Sequence, residues 1–242
     1  MLRSLISAAM ITGFALSTTA CAQDVDTADK AAIEKVVKDY LLENPEIIIE
    51  ALNVLDERQQ AEAAEAARKL IAANGDAIFN DPNDYSIGPE NAEVTIVEFF
   101  DYRCGPCRGA AQWVNAAPAA YDGKVRVVFK EFPILSPESR QAALAALAAG
   151  EQGKYAEMHR ALMQDRSSFN KSDIDRVANS IGLDIEKMRE DMKSPALEKT
   201  LDDTRELAQK IGANSTPTFI IGDELFAGLD LERIERLISE AS

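Results

Sequence analysis

The stretch EVTIVEFFDYRCGPC, residues 93–107, decides the expected fold and contains the main chemical signal of the chain. Its first half is rich in β-branched and aromatic residues and is apolar on both faces, which is typical of a central strand covered by helices. Its second half places Cys104 and Cys107 three positions apart, where a helix is expected to begin. A C-x-x-C spacing also occurs in metal sites and structural bridges, but its position between a strand and a helix favours a redox pair.

The location of Cys104 predicts a reactive thiol. At a helix N-terminus, unpaired backbone amides and the positive end of the helix dipole stabilise a thiolate, which lowers the cysteine pKa from about 8.5. Arg103 and Arg108 add positive charge nearby. Cys104 is therefore the candidate nucleophile, and Cys107, one turn later, is the candidate residue for resolving a mixed disulfide.

Glu98 is a candidate proton relay. It lies six residues before Cys104, on the same strand face as Ile96 and Phe100. Burial in such a setting raises the pKa of a carboxyl group, which would let Glu98 take or return the proton of Cys107. The alternative interpretation is a carboxylate at the edge of the sheet in contact with water.

Composition excludes several classes of function. The chain has 242 residues, and 41 acidic against 26 basic residues give a net charge of −15, which disfavours binding to nucleic acid. It contains three cysteines and a single histidine, His159. A structural zinc site and a histidine-based catalytic triad are both hard to build from this set.

Residues 1–22 have the pattern of an export signal. Arg3 precedes an apolar run at 5–16 that is too short to cross a bilayer, and Ala20-Cys21-Ala22 gives small residues at a cleavable spacing. A competing interpretation makes Cys21 a lipid-modified first residue. Either route exports the protein, and we expect a periplasmic location, where a cysteine pair can be oxidised.

Residues 23–75 are predicted to form a separate helical domain. Apolar residues at helical spacing indicate a helix over 27–43, and Asn44-Pro45 starts a second helix with an apolar first half and an alanine-rich second half. Nothing in this segment covers the apolar stripe of the second helix. Oligomerisation and packing against the rest of the chain are two ways to bury it.

Residues 76–242 are predicted to form an α/β domain with an all-helical insertion at about 136–211. The other expected elements are a possible short strand at 77–79, a helix over 105–121 interrupted by Pro118, a strand at 125–132, a hairpin around Gly222-Asp223, and a C-terminal helix capped by Asp230.

Three segments of this domain resemble the DsbA-like thioredoxin-fold oxidoreductases. They are residues 98–107, the strand FKEFP at 129–133, and STPT at 215–218. The resemblance covers roughly residues 77–242 and implies a thioredoxin-like fold. It also implies that Pro217 is a cis-proline facing the active-site sulfurs and that Thr216 offers backbone hydrogen bonds to a bound substrate strand. Without the resemblance, Thr216-Pro217 would be an ordinary turn at a strand entrance.

The segment YLLENPE at 40–46 resembles the N-terminal domain of ScsC-type members. Relatives of that type use this region to assemble trimers that shuffle disulfides, so the resemblance implies a homo-oligomer formed through residues 23–75.

Two features depart from the strongly oxidising members. The dipeptide between the cysteines is Gly105-Pro106, as in thioredoxins, and Thr216 precedes the proline, as in the isomerases of the superfamily. Without a histidine in the dipeptide, the Cys104 thiolate loses one stabiliser and the disulfide should be less oxidising. Both features favour an isomerase or a reductase.

The combined prediction is an exported thiol:disulfide oxidoreductase that acts on folding proteins. Cys104 and Cys107 exchange disulfides, Glu98 relays a proton, and Thr216-Pro217 binds substrate. No cofactor is expected, and a membrane redox partner would reset the cysteine pair. The alternatives are a monomeric dithiol oxidase of the same fold, a metal-tolerance protein that holds Cu(I) between the two thiolates, and an interaction module with vestigial cysteines.

Overall fold

The computed structural model describes residues 27–241. The predicted signal peptide and Cys21 lie outside these residues. The chain divides into two compact units, with the boundary between Asp56 and Glu57.

The first unit contains helix α1, Thr27–Glu43, and the beginning of helix α2, Glu46–Ala73. The side chain of Asn44 donates a hydrogen bond to the Tyr40 carbonyl (2.9 Å), which closes the end of α1. Large apolar side chains of this unit are exposed by about half or more: Ile33, Val36, Val37, Tyr40, Leu42, Ile48, Ile49, Leu52, Val54 and Leu55. The two helices agree with the prediction.

The second unit is built around a five-stranded sheet. Its strands are β1, Tyr85–Ile87; β2, Val94–Phe100; β3, Val125–Glu131; β4, Thr218–Ile221; and β5, Glu224–Ala227. Their spatial order is β1-β3-β2-β4-β5. The central pair β2 and β3 is parallel, whereas every other neighbouring pair is antiparallel. The architecture is the predicted thioredoxin-like α/β fold.

Helices cover both faces of this sheet. They are α3, Gly75–Phe79; α4, Gly105–Ala120; α5, Pro137–Gly150; α6, Tyr155–Gln164; α7, Lys171–Ser180; α8, Ile185–Asp191; α9, Pro195–Ile211; and α10, Leu231–Ala241. Helices α5 to α9 lie between β3 and β4 and form the predicted insertion. The Asp230 side chain caps α10 by accepting from the Arg233 N–H (3.0 Å).

Strand β2 is buried on both faces, as its sequence predicts. Ile96 and Phe100 belong to a large core with residues of α4, α5 and α6. Val97 and Phe99 belong to a second core with Ile71 and with residues of α9. Since these side chains alternate along β2, the two cores lie on opposite faces of the sheet.

Two predictions about local structure are wrong. Residues 77–79 belong to helix α3 instead of a short strand, because the backbone turns at Asn74, whose carbonyl accepts from the Ile78 N–H (3.0 Å). Pro118 does not interrupt α4, which continues to Ala120. A proline three residues from the end of a helix removes one hydrogen bond in the last turns, where few others depend on it.

The boundary between the compact units falls earlier than the domain boundary expected after residue 75. Ile71, near the end of α2, is buried in the second core of the sheet domain. Leu70 and Ile71, at the end of the alanine-rich half of α2, therefore pack with the sheet. Strand β1 was also not predicted, because three residues at a sheet edge carry little periodic signal.

Candidate active site

Cys104 is the N-cap residue of α4. Its sulfur accepts a hydrogen bond from the backbone N–H of Cys107 (3.2 Å), and its thiol donates to the carbonyl oxygen of Thr216 (3.2 Å). Both cysteines are reduced and buried. The structure thus places the predicted nucleophile at the helix N-terminus and brings the Thr216 loop, more than a hundred residues away, to the same sulfur.

The two thiols have opposite acidities. A hydrogen bond from the Cys107 thiol is the main cause that lowers the pKa of Cys104 from 9.0 to about 6. Burial acts in the opposite direction, and hydrogen bonds from the Thr216 side chain and the Cys107 N–H lower the pKa further. Burial, followed by the hydrogen bond to Cys104, raises the pKa of Cys107 far above its ordinary value. At neutral pH, Cys104 is a thiolate and Cys107 a thiol that supports it.

The Thr216–Pro217 peptide bond is cis. The Pro217 carbonyl accepts from the Gly228 N–H (2.8 Å), and the Thr218 hydroxyl donates to the Ser215 carbonyl (2.7 Å). These bonds fix the loop before β4 between the end of β5 and the active-site sulfur. The cis-proline implied by the family resemblance is present.

Glu98 is buried in the middle of the central strand β2, opposite Phe129 of β3 and Phe219 of β4. Neither of its carboxyl oxygens has a hydrogen-bond partner within residues 27–241. Burial is the main cause that raises its pKa to about 8, and the negative charge of Cys104 adds to the effect. Glu98 in turn raises the pKa of Cys107. The alternative of an edge carboxylate in water does not hold.

Asp101 organises the loop between β2 and α4, a role that the sequence reading missed. Its carboxylate accepts from the backbone N–H of Arg103 (2.7 Å), Ile134 (2.9 Å) and Leu135 (3.0 Å). The loop after β3 is thereby tied to the active-site loop. The bond to the Arg103 N–H is local, because an aspartate often accepts from the backbone N–H two residues later. The bonds to Ile134 and Leu135 depend on tertiary contact and have no local sequence signal.

The two arginines beside the cysteines are both engaged. Arg103 forms an ion pair with Glu138 (3.1 Å) and donates to the Ser136 hydroxyl (3.0 Å). Arg108 donates from Nε to the Tyr102 carbonyl (2.7 Å), and its guanidinium lies 5.4 Å from the centre of the Phe169 ring. The predicted positive charge is present, and part of it is neutralised by Glu138.

A buried network of hydrogen bonds connects the active-site loop, through Tyr102, with β3 and α6. Tyr102 and Tyr155 both donate to Glu131 Oε1 (2.8 and 2.9 Å), and His159 Nδ1 lies 3.2 Å from the Tyr102 hydroxyl. Burial lowers the pKa of His159 to about 3, so the ring is neutral. The single histidine is therefore a core residue that contacts Tyr102.

The intervening dipeptide contributes no charge to the site. Gly105 and Pro106 occupy the exposed first turn of α4. A methyl group added at Gly105 would meet no other atom within 4 Å, so the dipeptide leaves the space beside Cys104 open. Across residues 27–241, three or more His, Cys, Asp or Glu side chains do not come together in a way that could hold a metal ion.

A buried carboxyl, an acidic N-cap thiol, a second thiol one turn later and a cis-proline loop that contacts the first sulfur form a candidate site for thiol-disulfide exchange. The family comparison agrees with this class. The chain belongs to the thioredoxin family, in its DsbA- and ScsC-type branch: the family model described as Thioredoxin matches residues 80–240. A second family model, described as the copper resistance protein ScsC N-terminal domain, matches residues 29–62.

Solved structures give the same result. A thioredoxin-like oxidoreductase from Silicibacter pomeroyi is 40% identical over 69% of this chain and 96% of that one, with a TM-score of 0.65. The thiol-disulfide exchange protein alpha-DsbA2 from Wolbachia pipientis is 31% identical over 74% of this chain and 97% of that one (TM-score 0.66). BcfH from Salmonella enterica Typhimurium is 27% identical and covers 88% of this chain and 96% of its own, with a TM-score of 0.74.

The curated relatives are much longer than the matched region. A Na(+)/H(+) antiporter NhaA 1 from Mycobacterium sp. (strain KMS) is 33% identical over 150 residues, which are 60% of this chain and 24% of the antiporter. This chain therefore spans about a quarter of the length of such relatives. From Thr27 to Ala241, none of the helices combines the length and apolarity needed to span a bilayer.

Proposed function

We propose that this protein is an exported thiol:disulfide oxidoreductase that exchanges disulfides with folding proteins, as an isomerase or reductase more than as a net oxidant. The observation that carries the proposal is the Cys104 sulfur, which caps α4, accepts from the Cys107 N–H and contacts the Thr216 loop. A thiolate held in this position attacks a substrate disulfide without prior deprotonation.

The reaction follows from the two pKa values. The Cys104 thiolate attacks one sulfur of a substrate disulfide, and the other substrate sulfur leaves as a thiolate. A second substrate thiol can then attack the mixed disulfide, which rearranges the substrate without net oxidation. Alternatively, Cys107 loses its proton and attacks Cys104, which reduces the substrate to two thiols and oxidises the cysteine pair.

Glu98 is proposed to receive the Cys107 proton during this resolving step. A buried carboxyl whose pKa is raised to about 8 exchanges protons readily at neutral pH. The charge of Glu98 also contributes to the raised pKa of Cys107, which supports this role.

The Thr216-Pro217 loop is proposed to bind the substrate strand. The Thr216 carbonyl accepts a hydrogen bond from Cys104 when the Cys104 thiol is protonated. Once Cys104 is ionised or bonded to a substrate sulfur, this carbonyl is available to accept a backbone N–H from the substrate. The uncharged Gly105-Pro106 dipeptide is proposed to keep the cysteine pair weakly oxidising, because it stabilises the Cys104 thiolate less than a histidine would.

Residues 23–75 are proposed to form the contact between copies of this chain, as a trimer by analogy with ScsC-type relatives. The match of residues 29–62 to the ScsC N-terminal domain supports the analogy. The exposed apolar side chains of α1 and early α2 support it physically, because such a continuous apolar surface favours association. A trimer would present several reactive thiols to one misfolded substrate.

A periplasmic location is proposed from residues 1–22 and is supported by the relatives, one of which is described as a periplasmic thioredoxin-like protein from Salmonella enterica serovar Typhimurium. A membrane redox partner would reset the cysteine pair after each net reduction or oxidation. The alternative to a cleaved, unmodified N-terminus is a mature chain that begins at a lipid-modified Cys21.

The test is reactivation of a protein with scrambled disulfides by the full mature chain, compared with its ability to oxidise the fully reduced substrate. We expect faster reactivation than oxidation, and loss of both in Cys104→Ser. A monomer that oxidises reduced substrate faster than it reactivates scrambled substrate would instead identify the dithiol oxidase. Tight stoichiometric Cu(I) binding by both thiols without turnover would identify a copper-tolerance protein.

A further inference from the structure

A groove lined by arginines runs along the active-site helix. It lies between α4 and α6, has a volume of about 500 Å³, and begins at Arg108, whose backbone N–H donates to the Cys104 carbonyl (3.2 Å). Its polar lining consists of Arg108, Gln112, Asn115, Arg160, Gln164 and Arg166. The lining contains no carboxylate, although the whole chain carries a net charge of −15.

The arginines of this groove are available to a ligand. Arg160 and Arg166 are exposed and form no ion pair with a carboxylate among residues 27–241. The nearest acidic group, Asp165, is already bound by Arg176 (2.7 Å) and by the Ser167 N–H (2.7 Å). Burial is the main cause that lowers the pKa of Arg108, and the positive charge of Arg166 lowers it further, although the carboxylates of Asp165 and Asp101 act in the opposite direction.

The groove is also preorganised. Arg108 is held through Nε by the Tyr102 carbonyl and lies over the Phe169 ring, so its remaining N–H groups keep a fixed direction. Fixed donors lose less conformational entropy on binding than mobile surface side chains do.

The distance from the reacting sulfur suits a peptide. Arg108 is one helical turn from Cys104, about 6 Å along the axis. An extended chain covers about 3.3–3.6 Å per residue, so a polypeptide joined to Cys104 would place residues within about five positions of its cysteine in the groove.

We propose that this groove binds aspartate or glutamate side chains of the substrate polypeptide while a neighbouring substrate cysteine reacts with Cys104. The inference rests on the proposed function and names its substrate class: disulfides whose cysteines are flanked by acidic residues. The net charge of the chain alone would give the opposite preference, because it repels acidic substrates.

The test uses the reduced full mature chain and short peptides with one central cysteine, activated as a mixed disulfide with 2-thiopyridine. The Cys104 thiolate attacks the peptide sulfur, the bond to the pyridyl sulfur breaks, and pyridine-2-thione leaves with the electron pair. Its absorbance gives the second-order rate constant. The peptides differ only in flanking residues, which are Asp, Asn or Lys.

We expect the Asp peptide to react about fivefold to tenfold faster than the Asn peptide, and the Lys peptide more slowly, with smaller differences at high ionic strength. The Arg160→Gln/Arg166→Gln variant should lose most of the preference for Asp but react normally with the Asn peptide. A matched variant, Lys193→Gln/Arg205→Gln, removes the same charge outside the groove and should keep the preference.

Equal rates for the three peptides, or a preference that persists in Arg160→Gln/Arg166→Gln, would overturn the groove proposal while leaving the exchange activity of Cys104 intact. Failure of the wild-type chain to react with any peptide would instead remove the proposed function, and the groove proposal with it. The rate with the Asn peptide separates these outcomes and also verifies that each variant is folded.

Discussion

At the scale of single residues, a hydrogen bond between two thiols and their different burial give them very different pKa values. The hydrogen bond from Cys107 lowers the pKa of Cys104 to about 6, while burial, followed by the same hydrogen bond, raises the pKa of Cys107. The proposed attacking thiol is therefore ionised at neutral pH, whereas the proposed resolving thiol stays protonated. The difference follows from position, since the first sulfur caps a helix and the second is buried one turn later.

Replacement of Cys107 should weaken the nucleophile. In Cys107→Ala the main stabilising hydrogen bond is lost, so the pKa of Cys104 is expected to rise from about 6 toward its ordinary 9.0. The thiolate absorbance in the near ultraviolet, followed during a pH titration, measures this shift. Cys104→Ala should show no thiolate signal in the same range. An unchanged midpoint in Cys107→Ala would contradict the assigned cause.

Glu98 should make stability depend on pH. Burial raises its pKa from 4.5 to about 8. Below about pH 4.5, Glu98 is protonated in both the folded and the unfolded state, and its burial costs no charge. As the pH rises from there through 8, the unfolded state loses the proton first, so the free energy of unfolding falls. In Glu98→Gln this loss should disappear, giving a variant at least about 2 kcal/mol more stable than wild type at alkaline pH.

Urea unfolding of the oxidised proteins over the range from acid to alkaline pH measures this effect of Glu98 without interference from the thiols. Glu90→Gln, at an exposed position, is the control and should follow wild type at every pH. The Glu98→Gln variant should also resolve mixed disulfides more slowly. If the stability difference between Glu98→Gln and wild type were independent of pH, the raised pKa would be refuted.

At the scale of elements, a buried ion pair fastens the sheet to the segment that precedes it. Lys130 of β3 pairs with Asp84, just before β1, and donates to the Ala77 carbonyl of α3 (2.6 Å). Both side chains are almost completely buried. Burial raises the pKa of Asp84 to about 7 even though Lys130 acts in the opposite direction. The pair therefore joins β3, which the sequence predicts, to α3 and the start of β1, which local sequence defines weakly.

Removal of one partner should be costly. Lys130→Met leaves the Asp84 carboxylate buried without its cation, and we expect a loss of about 3–5 kcal/mol in the free energy of unfolding. The double variant Lys130→Met/Asp84→Asn should recover much of it. Lys124→Met, which removes an exposed pair with Glu93, is the matched control and should cost less than about 1 kcal/mol. Equal losses in the two lysine variants, measured by urea unfolding, would contradict the argument.

At the scale of the whole molecule, the candidate active site and the proposed assembly surface belong to different compact units. The cysteine pair, Glu98 and the cis-proline loop lie in the sheet unit, which begins at Glu57. The exposed apolar side chains of α1 and early α2 belong to the other unit. Mutation can therefore separate the proposed isomerase activity, which would need several copies of the chain, from simple thiol-disulfide exchange, which needs one thiolate.

The double variant Leu52→Glu/Leu55→Glu should prevent association. Both side chains are exposed by more than half in the single chain, so the charges are tolerated by the monomer but not by an apolar contact between copies. We expect a monomeric mass by light scattering and at least about a tenfold loss of scrambled-disulfide reactivation. Reaction of Cys104 with a small disulfide should be unchanged.

Gln59→Glu/Ala61→Glu adds the same charge further along α2 and is the control for this variant. It should retain the mass and the reactivation rate of wild type. A wild-type chain that is already monomeric, or a monomeric variant with full reactivation, would contradict the proposed assembly.

The sequence alone predicted the central strand, the helical insertion, the β4–β5 hairpin and the cysteine pair at the start of α4. These features depend on local patterns: an apolar β-rich run, capping residues, a turn at Gly222-Asp223 and a fixed C-x-x-C spacing. The family resemblance added the cis-proline, which the residues Thr216 and Pro217 by themselves do not distinguish from a turn.

Tertiary structure decided what depends on contacts between distant segments. Whether Glu98 meets water, and how Asp101 holds the loop after β3, are set by neighbours far along the chain. The same holds for α3, whose five residues follow the core around Ile78 instead of their strand propensity, and for the groove, whose arginines come from two helices and a loop. The sequence determines which ionisable side chains the chain carries and which helices and strands they lie on. Burial and long-range contacts determine the pKa values of these side chains and their partners.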